Sequence, residues 1–368
     1  MSLISTLKEW LFGTTSPSPL TSAAVAAAVA AASTNAPCRY LLDNSTSATF
    51  TLPDGRKLGY AQYGSPTGKA ILYHHGFPGS RLEAAHHHEL CTSLGLRIIA
   101  IDRPGHGWST PHPGAKLLDW PKDVERLADH LELESYSVMV CHFFLTFNVL
   151  IRIPSTILFL SYNKQGVSGG APSALACAFS LPPHKLKCVS LVCGTGPPDI
   201  GMRGADISHR IGWPYGIRFA PYWMGRWYWR FIGLGRTDLS ESARISLLST
   251  QFASVPESER DIYDDPDFVR LLVRATGEAF AQGYDGVWDD GKISCRDWGF
   301  RVQDIRKDLT VHLWYGSKDV FVPLNHGLQI AARLGEKARL RVEDEAHGGI
   351  LMHWKREIFE GLRDCMEG

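Results

Sequence analysis

From Thr49 onward, short apolar runs alternate with helix-length stretches, and this alternation is the tightest constraint on what the chain can fold into. Thr49 to Leu52 and Leu58 to Tyr63, joined by an Asp54-Gly55 turn, read as an antiparallel hairpin. Ala70 to Tyr73 and Arg97 to Ile101 follow as strands, with a helix over Ser80 to Leu94 between them and another over Ala115 to Leu131. The order resumes late, with strands at Leu186 to Cys193, Leu309 to Tyr315 and Arg339 to Val342, and helices at Leu324 to Leu334 and Met352 to Met366. Apolar strands alternating with helices predict an α/β fold whose central sheet is mostly parallel and covered by helices on both faces.

The alternation fails between residues 201 and 306, where no convincing strand occurs and nine aromatic side chains crowd the 19 residues from Trp213 to Phe231. That stretch is predicted to be an inserted helical lid. The core then comprises residues 44–200 and 307–368, and residues 1–43 form a leader, flexible or helical, with an alanine-rich run from Ala23 to Ala32. Up to residue 42 the leader carries Lys8 and Arg39 against one acid, Glu9. A cytoplasmic protein is expected, with a mitochondrial location as the alternative that an Ala/Ser-rich, acid-poor start suggests.

Charge narrows the class of partner. With 38 Lys+Arg against 38 Asp+Glu and a pI near 7.2, the chain lacks the basic excess that binding nucleic acid requires. Eight cysteines without a CxxC pair fit reduced thiols better than zinc or a disulfide ladder. His86, His87 and His88 are consecutive, so on a helix they point about 100° apart and cannot share one ion. No P-loop, dinucleotide fingerprint or H-E-x-x-H occurs. No metal and no cofactor are expected.

The chemistry-bearing residues lie elsewhere. Gly166-Val167-Ser168-Gly169-Gly170 fits G-x-S-x-G, in which small residues permit a sharp strand-to-helix turn that lifts a serine hydroxyl clear. Such a hydroxyl needs a base, and the base an orienting acid. Asp319 follows the apolar run ending at Tyr315, His347 stands before two glycines after the next strand, and the chain order is Ser, Asp, His. The loop His75-Gly76-Phe77-Pro78-Gly79 follows the strand ending at Tyr73, so the Phe77 and Gly169 amides are candidate donors to an oxyanion. Asp102 to Ser109 reads as a Gly/Pro loop shaping the site wall, with Arg103 fixing it. Trp213, Tyr222, Trp223 and Trp227 are candidate lining residues of a substrate pocket.

On these five elements, in this order from Thr49 to the C-terminus, the chain resembles the α/β-hydrolase superfamily, in the lid-bearing branch of proline iminopeptidase-like and esterase-like enzymes. The resemblance implies nucleophile Ser168, acid Asp319, base His347 and oxyanion amides at Phe77 and Gly169. It implies cleavage of an ester, amide or small peptide bond in a small, apolar substrate through an acyl-enzyme.

One segment departs from that pattern. Tyr136 to Met139 reads as the nucleophile strand, yet 26 residues, Val140 to Gln165, intervene before Gly166, with no Gly, Ala, Asp or Glu among them. Val140-Cys141 can be encoded as GTATGT and Gln165 as CAG, the two ends of an intron, and removing the 26 codons in frame joins strand to elbow. The segment is read as a retained or mispredicted intron. A membrane span is the rival reading, and Arg152 alone would add about 2.5 to 3.5 kcal/mol near a bilayer centre, so no transmembrane span is expected. The alternative function is a non-catalytic or misfolded hydrolase-like protein whose elbow the insertion disrupts.

Overall fold

The computed structural model describes residues 19–141, 148–150, 161–163, 169–252 and 257–367. Eight strands form one sheet: β1 (Ser47–Thr51), β2 (Lys57–Gly64), β3 (Lys69–His74), β4 (Leu96–Ile101), β5 (Tyr136–Val140), β8 (Leu186–Val192), β9 (Thr310–Gly316) and β10 (Ala338–Glu343). Their order is β1-β2-β4-β3-β5-β8-β9-β10. The hairpin β1–β2 and the β2–β4 pair are antiparallel, and every later pair is parallel. Residues 136–140 are buried without exception, which explains why β5 is apolar at successive positions rather than at every second one. The edge strand β10 alternates half-buried with exposed positions and carries Arg339 and Arg341, charges that blunt an unpaired strand edge.

Helices cover the sheet: α2 (His88–Ser93), α3 (Trp120–His130), α4 (Ala171–Ser180), α11 (Leu324–Leu334) and α12 (His347–Cys365). The helix expected over Ser80 to Leu94 is instead a 3₁₀ turn, Arg81–His87, running into α2. The turn faces inward with its charges: Arg81 pairs with Asp102 at 2.8 Å, both fully buried, and Glu83 Oε2 accepts the Gly76 amide at 3.0 Å. The last helix begins at His347, five residues ahead of the expected start at Met352.

Between β8 and β9 the chain is helical, with α5 (Ile207–Ile211), α6 (Tyr222–Phe231), α7 (Glu241–Phe252), α8 (Arg260–Tyr263), α9 (Pro266–Glu278) and α10 (Asp285–Ser294). It meets the core backbone closely at Gly105, where φ is +81° and a Cβ would stand 2.4 Å from Gly286 Cα. Within the leader, α1 (Pro19–Ser33) has Val25 and Ala28 buried in the common core.

The unusual segment contributes β6 (Asn148–Leu150) and β7 (Ser161–Asn163), which pair antiparallel with each other and not with the eight-stranded sheet. No helix among the described residues is long and apolar enough to cross a membrane.

Candidate active site

Ser168 lies outside the described residues, so the site is built from the groups around it. Asp319 follows the C-terminal end of β9, and His347 opens α12 after β10, so adjacent parallel strands deliver both to one edge of the sheet. His347 Nδ1 and Asp319 Oδ2 are 2.5 Å apart and both side chains are buried. The other carboxylate oxygen accepts the amides of Phe321 and Val322 at 2.8 and 3.0 Å. Those bonds lock the carboxylate, and the carboxylate then fixes which way the imidazole faces.

Two neighbouring candidates are engaged elsewhere. Asp344 bonds Lys318 at 2.8 Å and Ser317 at 3.0 Å on the surface. His353 is a third exposed and lies 2.9 Å from Glu345 and 3.2 Å from Asp261.

Phe77 is buried, and its ring meets Trp213 at 5.6 Å and Trp229 at 5.7 Å between centroids. A Cβ placed on Gly170 would stand 2.6 Å from the His75 carbonyl oxygen, so the 75–79 loop runs against the turn formed by Gly169 and Gly170. Arg103 pins that loop: its guanidinium donates to the carbonyls of His75 and Gly76 and, at 2.9 to 3.1 Å, to the Asp290 carboxylate of α10. The Arg103 amide donates to His75 Nε2 at 3.1 Å, while His75 Nδ1 faces the Gly76 carbonyl at 2.8 Å. Nε2 therefore accepts and Nδ1 donates, which is the neutral imidazole. Burial, with Arg103 close by, holds the His75 pKa well below its ordinary value.

The four aromatics expected to line a pocket divide. Trp213 is buried on Phe77, whereas Tyr222, Trp223 and Trp227 are exposed, and the buried Trp229 takes the inner position instead. The reason for two of them is helical period: Trp229 and Gly225 are the buried positions of α6, and Trp223 and Trp227 fall on its other side, whereas Tyr222 stands at its first turn. A shallow cleft beside Trp213 is bounded by Gly196, Met202, Cys295 and His326.

Sequence reasoning passed over two buried acids. Glu259, from the turn preceding α8, accepts the amides of Gly348 at 2.6 Å and Gly349 at 3.1 Å. It thereby caps the helix that begins with His347, whose own N-cap residue, Ala346, has no side-chain oxygen. Burial raises the Glu259 pKa against those two amide bonds. Asp290 neutralises Arg103. Neither carries a local sequence signal, since their partners lie 89 and 187 positions away.

Among the described residues, one cluster brings three potential metal donors within 4.8 Å: Cys193, Asp319 and His347. Nδ1 and Oδ2 there face each other across a hydrogen bond, and burial pushes the Cys193 thiol well above its ordinary pKa. The cluster is a hydrogen-bonded acid–imidazole pair with a protonated thiol at its side.

The family model described as alpha/beta hydrolase fold matches residues 69–142, from β3 to just past β5. A non-heme chloroperoxidase of Streptomyces lividans is 35% identical over 86 residues, 23% of this chain and 31% of that protein. A probable proline iminopeptidase of Leptolyngbya boryana is 34% identical over 82 residues, 22% of this chain and 25% of that protein. The chain thus spans under a third of the length of these curated relatives. Solved structures extend the likeness in fold. One from a study of carboxylesterases of Nitrososphaera gargenis superposes with a TM-score of 0.53 at 15% identity, covering 87% of this chain and 98% of that one. An esterase from Exiguobacterium antarcticum gives 0.53 at 16% identity, covering 87% and 99%. The architecture is the α/β-hydrolase fold. The match to the alpha/beta hydrolase family model lies within that architecture, over β3 to β5.

Proposed function

We propose that the protein is a serine hydrolase acting on an ester, amide or small peptide bond of a small, apolar substrate, and that residues 201–306 serve as its lid. The observation carrying this reading is the buried His347–Asp319 pair, with Nδ1 and Oδ2 2.5 Å apart. In the proposed reaction Ser168 Oγ attacks the carbonyl carbon while His347 Nε2 takes the hydroxyl proton. Asp319 keeps the imidazole in the required orientation and stabilises the imidazolium. The oxyanion is met by the Phe77 and Gly169 amides. His347 returns the proton to the leaving group, and water then releases the acyl group by the same steps in reverse. The loop-fixing bonds of Arg103 support the reading, because donors that do not reorganise during reaction are the effective ones.

Fluorophosphonate labelling tests this directly. The folded chain should label once, at Ser168, and Ser168→Ala should not label. A folded chain that fails to label would favour the non-catalytic alternative.

A further inference from the structure

Twelve large apolar side chains are exposed among the described residues, and eight of them fall between Ile207 and Trp227. Six recur at every fourth position: Ile207, Ile211, Tyr215, Phe219, Trp223 and Trp227. Tyr215, Phe219 and Trp223 are 62, 68 and 67% exposed. The opposite side of the same segment is the buried one, where Trp213 and Trp229 meet Phe77 and His209 meets Phe321, which in turn touches His347. The segment is thus two-faced, with its inner aromatics against the candidate site and its outer aromatics in water.

A second pattern runs beside the first. Arg210, Arg218, Arg226 and Arg230 are all exposed, and residues 207–231 contain no Asp or Glu. Arg226 pairs with Asp285, and Arg230 approaches Asp238 at 4.0 Å, both partners lying outside the segment. Arg210 and Arg218 make no ion pair among the described residues, and Arg218 lies over the Phe219 ring at 5.1 Å. Among the described residues, Arg210 and Arg218 thus leave their positive charge unanswered beside the exposed aromatics.

We infer that this outer face docks on an anionic lipid surface, the aromatics entering the headgroup–acyl boundary and the arginines meeting lipid phosphates. Trp and Tyr are the side chains suited to that boundary, being apolar in body and polar at one edge. A row of arginines adds attraction that a neutral surface does not supply. A second copy of the chain is the poorer occupant, because a twofold contact would bring arginines against arginines, and the acids bordering the patch, Asp285, Asp238 and Asp289, already face Arg226, Arg230 and Tyr222. Docking would hold the inner aromatics and the cleft beside Trp213 close to a supply of apolar substrate. The binding itself needs no catalysis, so it stands or falls apart from the proposed hydrolase activity.

Co-sedimentation of the full chain with vesicles of phosphatidylcholine, with and without phosphatidylglycerol, tests the inference. Binding should be at least about tenfold stronger when phosphatidylglycerol is present. The double variant Phe219→Ser/Trp223→Ser should lose about tenfold or more on those vesicles. Arg210→Gln/Arg218→Gln should lose the preference for the anionic lipid while keeping weak binding. Phe179→Ser, an exposed aromatic outside the patch, should bind as the parent does, and circular dichroism should show every variant folded. Parent and double variant pelleting alike, equal binding to both vesicle types, or a dimer that the double variant dissolves without any vesicle binding would each overturn it.

Discussion

Gly170 sits against Val140, so close that a Cβ on Gly170 would stand 2.4 Å from Val140 Cγ2, although the two are thirty positions apart in the chain. Val140 ends β5 and Gly170 precedes α4, so the path leaves the sheet and returns to the place it left. In between, β6 and β7 pair only with each other. The proposed insertion between strand and elbow requires such a return.

Deleting residues 140–165 should therefore give a folded protein that is more stable and more active than the full chain. The deletion removes no ladder partner of the sheet except Val140, whose place between His74 and Leu191 passes to Gly166. Restoring a direct strand-to-elbow connection should raise kcat/KM on a simple aryl ester by about 10²-fold, the cost that roughly 1 Å of misplacement carries. An unfolded or less active deletion variant would show that the segment belongs to the working protein.

Loss of the nucleophile or base should be far more damaging than loss of their neighbours. Ser168→Ala and His347→Ala should each lower kcat by about 10⁴-fold or more, and Asp319→Asn somewhat less, because the acid only orients and stabilises. Asp344→Asn and His353→Ala should stay within about twofold, since Asp344 is held by Lys318 and His353 lies between Glu345 and Asp261. A large effect at either control, with tolerance at Asp319 or His347, would transfer the roles.

The sheet was legible because its central strands, such as β3 and β4, are largely apolar runs and its turns carry Gly and Pro. The nearness of Asp319 and His347 was legible because each follows one of two adjacent parallel strands. What local pattern could not show was partnership across the chain: that Asp290 answers Arg103, that Glu259 caps the helix opening at His347, or which face of α6 is buried. Trp223 and Trp229 are both tryptophans of one short helix, and only the packing against Phe77 tells them apart.

Asp290 should govern stability in acid. Burial pushes its carboxyl up, but Arg103 and His106 outweigh burial and bring it down to about 2. A folded value below the unfolded one means that the stabilisation is present above about pH 4 and is lost as pH falls toward 2. It is worth about 2 kcal/mol by that shift, whereas Asp290→Asn, which strands the buried Arg103, should cost about 3 to 5 kcal/mol at neutral pH. Chemical denaturation across this range checks both, and an unchanged midpoint in the variant would remove Asp290 from the loop-fixing role.

Of the eight thiols, Cys365 should alkylate first. Hydrogen bonds from Cys188 and from His312, which lies 3.2 Å away, pull its pKa down to about 5, which favours the thiolate. Cys38, the other cysteine that is not fully buried, is pushed up to about 11 by burial. Iodoacetamide followed by peptide mapping should find Cys365 modified well before Cys38, with the rate falling as pH drops through about 5. Equal rates, or Cys38 first, would contradict the hydrogen-bonded cluster.

Glu259 should act on the reaction without touching the substrate. Its carboxylate holds the Gly348 and Gly349 amides, so its removal frees the first turn of the helix that carries His347. Glu259→Ala should lower kcat by about tenfold, with a loss of about 1 to 2 kcal/mol in stability typical of a missing cap. Glu259→Gln keeps an oxygen to accept the same two amides and should recover most of the rate. Identical behaviour of the Ala and Gln variants would reduce Glu259 to a packing residue.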